Sequence, residues 1–160
     1  MSFGALFVVS AIRYNVGTDY AGTYTKTYEK VIQGNQSIRM DFLILSIYQI
    51  MKLFDADLQW IFVITSFLVN FFVCKSIKEQ SPLKSLSLFI YVCGTFYFFS
   101  FNGVRQAIAI AIFAYSIKYV YERKAIHYIR NTLVGALIHG AEIIYAPIYF
   151  TLTKKVRLKY

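Results

Sequence analysis

Residues that hold metals, form disulfides or interrupt helices are scarce in this sequence. Its 160 residues include only 2 cysteines, 2 histidines and 2 prolines. Cys74 ends one apolar run and Cys93 lies inside another, and neither has a Cys or His nearby at metal-ligand spacing. The sequence also has no glycine-rich phosphate loop, no serine-centred nucleophile elbow and no Cys-x-x-Cys pair. We therefore interpret both cysteines as small apolar residues and expect no metal and no cofactor.

Acidic side chains are also scarce, with 8 Asp and Glu against 17 Lys and Arg, so the net charge is +9. The basic residues collect in short loops between apolar runs, as the positive-inside rule describes, and we do not expect a nucleic acid partner. A composition that is 58% apolar and 19% aromatic, with mean hydropathy +0.50, is typical of a multi-span membrane protein. We predict an all-α, polytopic transmembrane helix bundle, multi-pass in the cytoplasmic membrane, with about four to five spans.

Four apolar segments are candidates for these spans, since a crossing needs about 20 residues. A further segment, 42–54, holds only about a dozen residues, which suits an interfacial or re-entrant helix. The opening run 1–12 is too short to span and resembles the second half of a helix. We therefore expect a single membrane domain over 1–160 that is part of a longer protein. The four candidate spans are 58–76, 85–101, 104–121 and 126–150.

The basic loops predict the orientation of the spans. Loops 75–84 and 122–125 should be cytoplasmic, and the long loop 13–41 should be external. The C-terminal tail is also basic, yet an odd number of crossings would leave it outside. Either the fourth segment breaks near Gly140 or Pro147 and turns back, or the tail lies outside against the rule. We favour the second option.

Small residues recur every four positions at the start of the third span. Gly103, Ala107 and Ala111 lie on one stripe, a spacing that lets two helices approach closely. This pattern predicts that the third span packs inside the bundle. Arg105 should then face protein or a water-filled cavity.

Polar residues of the third and fourth spans are predicted to lie at similar depth. At about 1.5 Å per residue, Arg105 and Glu142 lie roughly 27 Å, and His139 roughly 22 Å, from the cytoplasmic side. Gln106 adjoins Arg105, and ionisable groups at such depth are functional-site candidates because burying them in lipid is costly. Candidates on the same external face are Arg13, Asp19, Tyr20 and Asn102.

Structural roles remain open for each of these side chains. Arg105 could extend to the interface, and His139 could form an interhelical hydrogen bond. Glu142 could be the partner of either residue, and Asp19 could be a turn residue after Gly17. Against this, arginine binds phosphate through two parallel hydrogen bonds, and a histidine can take a proton from an attacking hydroxyl. The set therefore suits an anionic ligand, such as a diphosphate on a lipid carrier.

Three segments carry a resemblance to a known family. The stretch RYNVGTDYAGTY at 13–24 resembles the R-x-x-x-G-x-D-Y-x-x-Y signature of the EpsG family of exopolysaccharide proteins, relatives of Wzy-type polymerases. FNGVRQAIAIAIFAYSIKY at 101–119 resembles that family's N-x-x-R-Q helix, and ALIHGAEIIYAPIYF at 136–150 its histidine block. MDFLILSIYQIMKLF at 40–54 resembles its segment of an acidic residue followed by Phe. The similarity covers nearly the whole chain, in order.

The resemblance implies a glycosyltransferase-type enzyme of capsule, exopolysaccharide or O-antigen synthesis, which polymerises undecaprenyl-diphosphate-linked oligosaccharide units outside the membrane. On this reading His139, Arg105 and Asp19 are catalytic. The partners that the resemblance implies for this protein are the lipid-linked substrate, membrane lipid and other exopolysaccharide assembly proteins. The residues expected to bind substrate are Arg13, Tyr20, Asn102, Gln106 and Glu142.

Two departures from the family pattern leave other readings open. After the histidine this chain has Gly140, Ala141 and Glu142, where the family usually has a hydroxyl residue. Members of the family are also roughly twice as long. A non-catalytic membrane protein that binds or moves a polyprenyl-diphosphate glycan is one alternative, and an inactive fragment of the polymerase is another.

Overall fold

A computed structural model describes residues 2–17, 19–35, 38 and 40–153. All the regular structure within these residues is helical. A π-helical turn, Tyr20–Thr25, precedes α2, and a 3₁₀ turn, Gly140–Tyr145, separates α9 from α10. The α-helices in chain order are α1 (Ser2–Ala11), α2 (Lys26–Ile32), α3 (Phe42–Leu53), α4 (Gln59–Gln80), α5 (Lys84–Cys93), α6 (Phe96–Phe99), α7 (Val104–Ser116), α8 (Lys118–Tyr121), α9 (Ala125–Ile138) and α10 (Ile148–Thr153).

Helix α7 forms the centre of the bundle and packs between α4 and α9. Its sequence alternates alanine, the best helix former, with isoleucine, so small and large side chains interlock with both neighbours. Ala107, Ile108, Ala111 and Ile112 are all buried. The prediction that this segment packs inside the bundle is therefore confirmed.

Helix α4 has 22 residues and, within the part of the chain described, is the one helix long and apolar enough to cross a membrane. The helix predicted over 58–76 is confirmed, and its crossing of a membrane stays a prediction. It continues to Gln80, so most of the predicted loop 75–84 is helical and the connection to α5 is only 81–83. Asn70 joins α4 to α1 through a buried hydrogen bond from its Nδ2 to Ser10 Oγ, at 3.0 Å.

The segment 85–101 is not one continuous helix. It divides into α5 and α6 at Gly94 and Thr95, where Thr95 takes a left-handed conformation with φ 67°. The segment 104–121 comes closer to the prediction, because α8 follows α7 with only Ile117 between them. Across the residues that the structure describes, the chain is thus all-helical with one helix of membrane-spanning length, and a bundle of four or five spans stays a prediction.

The segment 126–150 also breaks, and the break reverses the chain. Helix α9 ends at Ile138, His139 takes an extended conformation, and the 3₁₀ turn runs back along α9. The Tyr128 hydroxyl donates a 2.7 Å hydrogen bond to the Tyr145 carbonyl oxygen, which ties the returning segment to α9. We call α9 and this returning segment the hairpin. Breaking near Gly140 and turning back is therefore the option that the chain adopts. The favoured option, a tail on the external side, concerns residues outside the described part of the chain.

Helix α10 brings the chain back to the end at which α9 begins. Arg123 Nη1, just before α9, donates a 2.6 Å hydrogen bond to the carbonyl oxygen of Thr153, the last residue described. The basic tail at 154–160 lies outside the described residues. The same end holds the α4–α5 connection, because Lys118 Nζ pairs with Glu79 Oε2 at 2.5 Å. We call it the basic end.

Helices α2 and α3 cover the opposite end of the bundle. Lys52 Nζ donates to the Val31 carbonyl oxygen at 2.8 Å and ties the two helices together. Ile44 and Tyr48 of α3 are buried in the core, whereas Phe42 and Leu53 are exposed. The short helix predicted over 42–54 is confirmed, and its position in a membrane interface stays a prediction. We call this end the motif end.

Candidate functional site

An ion pair between α7 and the residue before α3 lies at the motif end. Arg105, in the first turn of α7, places Nη1 2.6 Å from Oδ2 of Asp41. The other oxygen, Asp41 Oδ1, accepts a 3.2 Å hydrogen bond from the backbone N–H of Gly140. One carboxylate thus joins the start of α7, the start of α3 and the reversal after α9.

Asp41 was missed as a site residue by the sequence analysis. Its signal was present, since it is the acidic residue of the segment at 40–54 that resembles the family pattern. Its pairing with Arg105 spans 64 positions of the chain, and such a contact depends on how α3 folds over the bundle. The hydrophobic periodicity of a single segment carries no information about how α3 folds over the other helices.

The Arg105–Asp41 pair remains open to solvent. The side chains of Arg105 and Asp41 are 31% and 23% exposed, respectively. A guanidinium carries donors arranged to match carboxylate and phosphate oxygens, and an N–H at a helix break points outward from the backbone. Together, Arg105 and the Gly140 amide can bind the oxygens of an anion that reaches this surface.

His139 adjoins this cluster directly through Gly140. Its extended backbone, with φ −148° and ψ 105°, ends α9 and starts the reversal. The side chain is half-buried. The structure therefore brings His139 and Arg105 to the same end of two packed helices, with Asp41 and Gly140 between them.

Arg13 lies deeper than Arg105, in an aromatic cage. It is only 6% exposed, and its guanidinium carbon lies 4.8 Å from the Phe62 ring centroid and 5.1 Å from that of Phe101. Nη1 donates a 3.2 Å hydrogen bond to the Ser100 carbonyl oxygen. Burial lowers the pKa of Arg13 to about 10, so it remains a cation at neutral pH.

Tyr24 lies close to both arginines. It is 1% exposed, and its hydroxyl approaches the backbone of Arg105. Burial raises its pKa to about 12, despite the opposing influence of the Arg105 and Arg13 charges. The phenol is therefore neutral at physiological pH and does not itself compensate the charge of either arginine.

The remaining candidates of the first and second motifs lie around these arginines. Tyr20 is buried and stacks on Phe62 with ring centroids 4.7 Å apart. Asp19 is half-buried, close enough for its charge to affect Tyr24, whereas Gln106 is exposed. Asn102 places Oδ1 against Gly17, which brings the two motifs into contact.

Glu142 is not where the depth count predicts. Because the chain reverses after His139, Glu142 lies back along α9 rather than one turn beyond it. It is 2% exposed and packs against Gly135, and its Oε1 has no hydrogen-bond partner among the described residues. The contacts of the described residues do not join Glu142 to Arg105, and a role for Glu142 in binding substrate stays a prediction.

An apolar cavity of about 300 Å³ lies on another face of α7. Ala107 and Ala111 line it together with Val69 and Val73 of α4, so the predicted stripe of small residues faces α4. The described part of the chain contains no group of three His, Cys, Asp or Glu side chains placed to hold a metal ion.

Comparison with known proteins gives one match. The model of the EpsG family matches residues 1–160, the whole sequence. No curated protein and no solved structure matches the chain.

Proposed function

This chain belongs to the EpsG family, and we propose that it is an integral membrane polysaccharide polymerase. Membership indicates an exopolysaccharide polymerase-like membrane protein, in keeping with the membrane-spanning length of α4. The finer proposal is that it joins undecaprenyl-diphosphate-linked oligosaccharide repeat units at the external face of the cytoplasmic membrane. The motif end would then face outward, and the chain would cross the membrane several times.

The observation that carries this proposal is the convergence of Arg105 and the Gly140 amide on one exposed oxyanion, the Asp41 carboxylate. A diphosphate presents oxygens of the same kind with a larger negative charge. Fixed donors that already point at such oxygens stabilise a leaving diphosphate without reorganising during the reaction. Arg105 is thus assigned to the leaving group of the lipid-linked donor.

The proposed reaction is a glycosyl transfer. A sugar hydroxyl of one repeat unit attacks the anomeric carbon of another, forming a C–O glycosidic bond as the bond from that carbon to the phosphate oxygen breaks. The diphosphate leaves with the bonding electron pair, held by Arg105. His139, beside Gly140, accepts the proton of the attacking hydroxyl as general base.

The other motif residues take supporting roles in this proposal. The buried Arg13 adds a fixed positive charge behind the site and anchors the loop that carries Asp19 and Tyr20. Asp19, at the motif end, orients a sugar or the loop itself. The exposed Gln106, with Asn102 beside it, would bind sugar hydroxyls.

The test is complementation of a strain that lacks its own repeat-unit polymerase, read as a ladder of surface glycan. The native chain should restore the ladder, and Arg105→Ala and His139→Ala should abolish it. Arg105→Lys keeps the charge but loses the planar fork, so it should restore little. Matched controls are Arg130→Ala and His127→Ala, whose exposed side chains lie on α9 away from the cluster.

The glycan ladder, read together with binding of a prenyl diphosphate by the same variants, separates the alternatives. A non-catalytic glycan-binding protein would bind a prenyl diphosphate with His139→Ala as well as with the native chain, and would restore no ladder. A chain that reaches the membrane yet neither polymerises nor binds would be an inactive fragment. A normal ladder from Arg105→Lys would overturn the bidentate role of Arg105.

A further inference from the structure

We propose that Asp41 is a stand-in anion, which occupies the diphosphate position in the free protein and must leave when substrate binds. The inference deepens the proposed function and rests on it, since it concerns the same Arg105 site. It starts from the two contacts of the carboxylate, 2.6 Å to Arg105 Nη1 and 3.2 Å to the Gly140 amide. Each carboxylate oxygen has one of these donors, as two oxygens of a phosphate would.

Asp41 makes these contacts instead of the one its position favours. It directly precedes α3 with an extended backbone, and an aspartate at such a position commonly accepts a hydrogen bond from the first turn of its own helix. The Asp41 side chain makes no such capping bond. Its carboxylate reaches across to α7 and to the reversal after α9, so local helix capping does not explain its placement.

The charge balance points the same way. Arg105 paired with Asp41 has no net charge, and a neutral pair attracts a diphosphate far less than a free guanidinium does. Both side chains are partly exposed, and ion pairs of that kind contribute little free energy, so a more highly charged anion can displace the carboxylate. Asp41 therefore competes with the diphosphate for Arg105 and lowers its affinity, and removing the Asp41 charge should strengthen diphosphate binding.

The test measures binding of farnesyl diphosphate, as a short prenyl diphosphate probe, to the full chain in detergent micelles. Asp41→Asn keeps the size and one oxygen acceptor but removes the competing charge. We expect it to bind the probe about tenfold more tightly than the native chain, a change of about 1.4 kcal/mol. A residue that merely positions Arg105 would give weaker binding when replaced, and unchanged or weaker binding would overturn the proposal.

Two controls make the outcome specific. Asp55→Asn removes an exposed carboxylate that follows α3 and should leave the affinity unchanged. If it tightens binding as much as Asp41→Asn, the effect is general electrostatics and the proposal is wrong. Arg105→Ala tests the underlying function separately, because a variant that binds the probe normally overturns the role of Arg105 whatever Asp41 does.

A measurement on the native chain decides the question even if Asp41→Asn does not fold. Saturating farnesyl diphosphate should speed hydrogen exchange at Leu45, whose N–H donates to the Asp41 carbonyl oxygen, and at the residues just after it, because displaced Asp41 no longer anchors that end of α3. Exchange that stays the same or slows at full occupancy would mean that Asp41 remains in place, and would overturn the proposal.

Discussion

Gly17 lies directly against the backbone carbonyl oxygen of Phe101. A Cβ at position 17 would lie 2.5 Å from that oxygen and 2.9 Å from Oδ1 of Asn102. Gly17 also has φ +92°, a conformation that side chains rarely adopt. The loop after α1 and the turn before α7 thus fit together only because this residue has no side chain, and two motifs distant in sequence share one surface.

Gly17→Ala should therefore destabilise the protein by more than backbone strain alone. Strain at such a φ costs about 1–3 kcal/mol, and the clash with fixed backbone adds to it. Gly34→Ala is the matched control, because Gly34 has φ +71° but open space around it. Thermal unfolding in detergent should show a larger loss for Gly17→Ala, whereas equal losses would mean that the contact with Phe101 is unimportant.

Replacement by lysine should lower the stability of the protein more at Arg13 than at Arg105. Arg13→Lys loses stacking between two rings and the hydrogen bond to Ser100, so the free energy of unfolding should fall by about 1–2 kcal/mol. Arg105→Lys alters a partly exposed pair and should cost less than about 1 kcal/mol while reducing polymerisation. Unfolding curves and glycan ladders of both variants test this prediction. A larger loss of stability in Arg105→Lys than in Arg13→Lys would contradict it.

Gly135 and Glu142 make a paired prediction for the hairpin of α9. A Cβ at position 135 would lie 2.8 Å from Glu142 Cγ, so Gly135→Ala should destabilise by about 1–3 kcal/mol through overpacking. Adding Glu142→Ala should recover most of the loss. Gly4→Ala, in an open part of α1, should be neutral or slightly stabilising. The unfolding temperatures of Gly135→Ala, Glu142→Ala and the double variant give the coupling between the two residues, and simple additivity would argue against this contact.

The reversal of the chain predicts a pattern of labelling in intact cells. In a background with Cys74→Ala and Cys93→Ala, cysteines at Glu122 and Thr151 should react with a membrane-impermeant maleimide from the same side. Gln33→Cys, in the cap at the motif end, should react from the opposite side. Labelling of positions 122 and 151 from different sides would mean that the segment after α9 crosses the membrane.

Long unbroken apolar runs were predictable from the sequence, and their interruptions were harder to place. Helix α4 was predictable because the apolar stretch 59–74 contains neither glycine nor proline. The break at Thr95 depends on a left-handed backbone that Gly94 only hints at. The reversal at His139 was foreseen as an option, but the Tyr128–Tyr145 hydrogen bond that joins its two sides is a contact within the folded hairpin.

The candidate site was predictable in its residue types but not in its pairing. Counting depth from the basic loops brings Arg105 and His139 to one level, because Arg105 lies at the start of α7 and His139 just after α9, each at the end of its helix away from the basic end. The same count misplaces Glu142, since it assumes that α9 continues. The depth count cannot find Asp41, because Asp41 does not lie on a predicted span. It meets Arg105 because α3 folds over the end of the bundle.

The unwound backbone at Gly140 also limits the order of events at the site. The Gly140 amide is exposed and Arg105 is partly exposed, so water can hydrate both groups when the Asp41 carboxylate moves away. If Asp41 yields its place to a diphosphate, the exchange can therefore pass through a hydrated site that holds neither anion. The substitution would then be dissociative, and at high diphosphate concentration its rate would level off at the rate at which Asp41 departs.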